Sequence, residues 1–239
     1  MADSISFNGS SQYAQVGAGI INPTTDYTIE MYIKLNAEIS AGIFEIAHFE
    51  NNTQKHAVYM NYEFNGGTRR LLFKKDRWVI EGTNSVYNNT LGTTNWTHVA
   101  MVLTGTTIKC YVNGVNVGTD GTSVVNTAGD TTTNTQLVVG AGTTVGTSSF
   151  KNYANTKVAC LRIWSDARTT AEINDNKNTV ITGTANNLVG SWYNGDSDHN
   201  DDSQSNNLTA SGSPSFSSDF PFVVISSGSS GGSFLLNFV

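Results

Sequence analysis

Residues 95–114 read NWTHVAMVLTGTTIKCYVNG. Val99, Met101 and Leu103 alternate with Ala100 and Val102, and Ile108, Cys110 and Val112 repeat the same period of two after a corner at Thr104-Gly105. A spacing of two places alternate residues on one face of a pleated strand, so the stretch predicts two antiparallel strands with a shared buried face. It closes on Asn113-Gly114, a pair that tolerates φ > 0 at both central positions of a type I′ hairpin, which predicts a further strand from about Val115.

The pattern extends outward in both directions. Ile5 and Phe7 open it, and Tyr27, Ile29, Met31, Ile33 and Leu35 share one face of the next strand, with Thr28, Glu30, Tyr32 and Lys34 on the other. Val58, Met60, Tyr62 and Phe64 alternate before a Gly66-Gly67 turn. Half-buried antiparallel strands account for all of these. One short helix is expected near Thr170–Asp175, capped by Thr169 or Thr170 and with Glu172 at its positive end. The 239 residues suit a single β-sandwich with one core.

Composition narrows the function. Hydrophobic residues make up 38% and charged residues 13%, with a net charge of −6, which describes a folded chain with a polar but weakly charged surface. Basic residues cluster no further than Arg69-Arg70 and Lys74-Lys75, so nucleic acid is not an expected partner. The opening MADSISFNGS lacks the features of a secretory signal and no run reaches the length of a membrane span, so synthesis in a cytoplasm without membrane insertion is expected. Cys110 and Cys160 stand in strands without metal or redox spacing and read as buried thiols.

Five segments resemble the laminin-G-like and pentraxin-like jelly rolls of the concanavalin A-like lectin and glucanase superfamily. They are SISFNGSSQYAQV at 4–16, YTIEMYIKLN at 27–36, the 95–114 block ending in Tyr-Val-Asn-Gly, VACLRIWSDARTTAEI at 158–173, and LVGSWYNGDSDHNDDSQSNNLTAS at 188–211. The resemblance implies an all-β antiparallel sandwich over residues 1–222. It leaves function open, because that superfamily hosts lectins, hydrolases, adhesion modules and virion proteins.

Hydrolases of the superfamily carry two Glu with an Asp between them on one strand. Here Glu45 and Glu50 match the outer positions, but Ala47 replaces the Asp, and without a bulge a spacing of five sends the two to opposite faces. His48, His56, His98 and His199 stand in no nucleophile or ligand spacing, and the Gly-rich 140–146 stretch precedes no helix, so no catalytic residues are assigned. His98, in the Trp-Thr-His strand, is expected to pack or hydrogen-bond.

Asp196, Asp198, Asn200, Asp201 and Asp202 crowd one loop and form a calcium candidate, the alternative being a solvated acidic loop. They do not form an EF-hand, since Asp201 stands where Gly is needed and Asn207 where Glu is. The resemblance implies a cation near the closing strands, drawing on this loop and on the Asn8 turn, although Asn8 stands where the family has Asp. Tyr32, Trp78, Tyr87 and Tyr153 are candidates to stack on a sugar, whereas Trp96, Trp164 and Trp192 read as packing.

Residues 223–239, VVISSGSSGGSFLLNFV, join a Gly/Ser linker to an apolar end. Phe234, Leu235, Leu236 and Phe238 are expected to anchor the chain in another subunit, as a homo-oligomer or among virion proteins, the alternative being a strand added to this domain's own edge. The expected function is therefore a non-catalytic binding component of a larger assembly, such as a phage decoration, fibre or receptor-binding protein assembled in a host cytoplasm. A free glycan-binding lectin or adhesin is the alternative, and a glycoside hydrolase a further one.

Overall fold

A computed structural model describes residues 3–16, 20, 26–38, 40–50, 53–65, 68–77, 85–87, 91, 94–122, 135–143, 150–181, 183–193, 195–225 and 234–236. Two antiparallel sheets face each other, with strands numbered along the chain. The front sheet runs β16 (Thr209–Ser211), β2 (Tyr13–Val16), β11 (Thr135–Val139), β4 (Ala41–Glu50), β5 (Thr53–Asn65), β6 (Thr68–Arg77) and β7 (Ser85–Tyr87). The back sheet runs β10 (Val115–Thr122), β9 (Thr107–Val112), β8 (Thr97–Thr104), β3 (Tyr27–Leu35), β14 (Thr156–Trp164), β1 (Ser4–Ser6) and β17 (Ser215–Ser217), with β15 (Leu188–Trp192) on the second half of β14. This is the expected jelly-roll sandwich.

The alternating residues meet as predicted. Ile163, Ile29, Met101 and Cys110 lie in one register row across β14, β3, β8 and β9, all buried. Facing them are Val58, Met60, Tyr62, Leu71, Phe73, Leu137 and Val139 of the front sheet. Asn113 and Gly114 both have positive φ, 50° and 81°, the geometry of a type I′ turn. Cys110 and Cys160 are buried, free thiols, as expected.

The two sheets join at one side, where Thr119 of β10 pairs with Val86 of β7. On the other side β16 and β17 end the sheets, three residues each, linked by a turn at 212–214. The Gln12 amide nitrogen holds that turn by donating to the carbonyls of Gly212 and Ser213, at 3.1 and 2.8 Å. A small hairpin of β12 (Gly142–Thr143) and β13 (Phe150–Lys151) forms a ladder of its own beside the front sheet.

Helix α1 (Thr170–Asn176) starts on the capping box formed by Thr169 and Glu172 and docks Ile173 on Ala100, Val102 and Tyr111 of the back sheet. No helix among the described residues is long and apolar enough to cross a membrane. The tail does not take the alternative arrangement, a strand on this domain's own edge, among the described residues. Val223–Ile225 (β18) and Phe234–Leu236 (β19) pair with each other as a separate two-stranded sheet and join no strand of the sandwich. Phe238 lies outside the described residues.

Candidate functional site

The outward face of the back sheet overturns one expectation. Thr28, Glu30 and Tyr32 alternate with core residues and were expected to meet solvent, yet all three are buried. Helix α1, the chain after it and the C-terminal segment cover them. The Tyr32 ring packs edge-on to His98 and Phe222, and its hydroxyl donates to Asn178 Oδ1 at 2.5 Å. Tyr32 therefore offers no surface to a sugar.

Beside it lies a buried ionic cluster. Glu30 Oε1 accepts from Trp164 Nε1 at 2.9 Å and lies 3.2 Å from Arg162 Nε, while Glu30 Oε2 is 3.0 Å from His98 Nε2. Arg162 Nη1 donates to the carbonyls of Asn176 and Thr179, at 2.9 and 3.2 Å, and so satisfies the C-terminal end of α1. Burial works to raise the Glu30 pKa, but Arg162, His98 and Trp164 outweigh it and hold it at about 2. Burial likewise pushes His98 down, more than Glu30 raises it, so its neutral form is favoured. The cluster docks the helix, and His98 has the hydrogen-bonding role expected of it.

The bulge in β14 makes this possible. Ala159 pairs with Tyr32 and Arg162 with Glu30, so two residues, Cys160 and Leu161, stand opposite Met31 alone. Cys160 takes φ 49° and its N–H donates to the Tyr193 carbonyl at 2.9 Å. The extra residue reverses the parity of the strand, sending Leu161 into the core and Arg162 outward.

The acidic loop follows β15. Asp201 is buried, and its carboxylate accepts from Ser191 N–H, from Ser203 N–H and hydroxyl, and from the Asn206 main-chain and side-chain N–H groups. Asp198 accepts from the Asn200 main-chain and side-chain N–H groups, at 2.9 and 2.6 Å. Burial, and the adjoining Asp202 and Asp198, push the Asp196 carboxyl up to about 6. Asn8 Oδ1 accepts from Ser10 and Ser11 N–H and caps its own turn. Calcium takes six to eight oxygen ligands. Among the described residues no three His, Cys, Asp or Glu side chains converge on one point, and Asp201 is spent on the loop itself, so the donor set does not fit the ion.

Of the stacking candidates, Tyr153 has aromatic company. It is half-buried, and its ring centroid lies 6.4 Å from that of Tyr13, which in turn lies 4.4 Å from Phe150. All three are half-buried. Tyr13 and Gln15 occupy one face of β2, since Ala14 between them points into the core. Gln136 Nε2 on the adjacent β11 donates to Gln15 Oε1 at 3.1 Å. Sequence reasoning missed Tyr13 and Phe150 because the three residues lie far apart along the chain. The polar neighbours of Tyr13, Gln12 and Gln15, were the available signal.

Trp78 lies outside the described residues, as does the side chain of Tyr87, whose backbone pairs with Leu71. Trp164 and Trp192 are buried as expected, and Trp96 is half-buried with its indole N–H on Asp219. Glu45 and Glu50 both stand on β4, opposite Tyr59 and Thr53. The register irregularity at His48/Phe49 skips Lys55 on the partner strand, so the two Glu remain at positions of opposite parity.

Such a two-sheet antiparallel sandwich is of the jelly-roll class that the sequence resembles. A laminin-G-type family model of the concanavalin A-like lectin/glucanases superfamily matches residues 8–174, and the chain belongs to this superfamily. A comparison with the curated proteins gives no match. Among solved structures, the chain is similar to a Bacteroides ovatus protein proposed to bind carbohydrate, with a TM-score of 0.61 and 18% identity over 91% of this chain. It spans 60% of that protein's length. It is also similar to a heptameric SAP-like pentraxin of Limulus polyphemus, with a TM-score of 0.51 and 19% identity, covering 72% of this chain and 80% of that one.

Proposed function

We propose that the protein is a non-catalytic carbohydrate-binding module carried in a larger assembly. The glycan reading is carried by the half-buried Tyr13, Phe150 and Tyr153 cluster, because aromatic rings at a surface stack on the apolar face of a pyranose. Membership of a lectin and glucanase superfamily supports it, as does the likeness to a protein proposed to bind carbohydrate. The non-catalytic part rests on Ala47 in place of a carboxylate and on the opposite parity of Glu45 and Glu50 on β4.

The tail favours the assembly reading. A two-stranded hairpin whose six paired residues are all apolar, Val-Val-Ile against Phe-Leu-Leu, gains little stability alone in water and gains more against a partner surface. The surface of a phage particle is the setting we put forward. The full chain should be retained on a glycan array and Tyr153→Ala should reduce that retention. Retained oligosaccharides should be recovered intact. Turnover that Glu45→Gln or Glu50→Gln removes would make the protein a hydrolase instead.

A further inference from the structure

We infer that the ligand of the Tyr13, Phe150 and Tyr153 surface is an uncharged glycan, held without a metal ion. This rests on the carbohydrate-binding reading and names the ligand's class. The strand neighbours of Tyr13 are uncharged: Ser211 of β16 is its register partner, and the amide of Gln15 stands on the same face of β2. Gln15 is bonded to Gln136. An amide offers both a donor and an acceptor, which matches the dual character of a sugar hydroxyl.

The charge pattern excludes an acidic sugar. Strands β2, β11, β12 and β16, with sequences YAQV, TQLVV, GT and TAS, contain no Lys, Arg, His, Asp or Glu. Strand β13 adds one charge, Lys151, adjacent to Phe150 and so of opposite parity on the strand. The nearest carboxylate in register is Glu45, paired with Val138, which pairs in turn with Gln15, two strands from the Tyr13 face. A carboxylate or sulfate laid on such a surface would lose hydration with no fixed cation to replace it, against a net charge of −6. The same strands supply no carboxylate for a calcium ion, and Asp198 and Asp201 accept hydrogen bonds within their own segment of the chain.

The test uses the full chain on two immobilised panels, in calcium and in EDTA. The neutral panel holds cellohexaose, laminarihexaose, xylohexaose, mannohexaose and galactan. The acidic panel holds polygalacturonate, heparin and sialyllactose. We expect retention on a neutral glycan only, unchanged by EDTA and by about 0.5 M NaCl, which screens charge pairing. Tyr13→Ala should weaken retention roughly tenfold, whereas Lys151→Ala should leave it unchanged. Retention on the acidic panel alone, its loss in EDTA, or its loss in Lys151→Ala would overturn the inference while leaving carbohydrate binding intact. Retention on neither panel would end both readings.

Discussion

Cys160 shows how one residue can bear the strain that organises a face. A side chain at φ 49° costs about 1 to 2 kcal/mol relative to its right-handed form, and glycine escapes that cost. Cys160→Gly should therefore be more stable than Cys160→Ala by about 1 kcal/mol in urea unfolding, although both lose the thiol's packing on Tyr32 and Phe222. An order reversed between the two would remove strain from the account. Asp201 is the opposite case, a residue whose removal strands others. Asp201→Ala leaves the Ser191 and Ser203 N–H groups buried without an acceptor, and should cost about 2 to 4 kcal/mol by the same measurement. Asp196 has a folded pKa of about 6 against an ordinary 3.8, so its contribution is present below 3.8 and lost as pH rises through 6. Asp196→Asn should thus raise the melting temperature at pH 7 and leave it little changed at pH 3.5. Because the donors do not fit calcium, the wild-type melting curve should coincide in millimolar calcium and in chelator. A clear rise in calcium would restore the ion to this loop.

Among the elements, α1 depends on charges that lie beneath it. Arg162 reaches its terminal carbonyls only because Glu30 holds the guanidinium, so Arg162→Met should cost about 3 to 5 kcal/mol by leaving Glu30 buried without a cation. Glu30→Leu combined with Arg162→Met should recover much of that loss. The cluster also fixes a response to acid. The folded pKa of Glu30 is about 2 against an ordinary 4.5, so its stabilisation is complete above 4.5 and vanishes as pH falls through 2. His98 acts in the same direction from a higher pH, since the unfolded chain takes up its proton first below 6.5. In an Asp196→Asn background, which removes the opposing carboxyl, melting temperature should fall from pH 6.5 downward, and Glu30→Gln should flatten the part below 4.5. The elements also mark where the sequence stops being legible. Strands β3, β8 and β9 follow from period-two alternation because their pattern is local. In VACLRIW the same alternation groups Arg162 with Val158 and predicts an inward guanidinium, since nothing in seven residues announces the bulge at Cys160. Tyr32 was misread for a related reason. Its polar-looking face is covered by Asn178, Val180 and Phe222, which arrive some 150 and 190 residues later, and the Tyr13, Phe150 and Tyr153 surface likewise exists only once the chain is folded.

At the level of the whole molecule, side-chain packing on the back sheet runs as far as Phe222 among the described residues. Asp219 receives Lys34, Lys157 and the Trp96 indole, and Phe220 and Phe222 pack in the cluster around Tyr32, whereas β18 and β19 pair with each other as a separate sheet. Ending the chain at Phe222 should leave the melting temperature nearly unchanged while abolishing self-association or attachment. Ending it at Ser218 should lower the melting temperature by several degrees. A large drop on removing 223–239 alone would place the tail in the core. The perimeter of the sandwich carries a separate consequence. One side is bridged from β7 to β10, and the other ends in strands of three residues bent around a turn that Gln12 fastens. Among the described residues, copies held shoulder to shoulder along these two sides meet a bridged side and three-residue strands, short templates for zipping together, so contact there resists fusing neighbours into a common fibre.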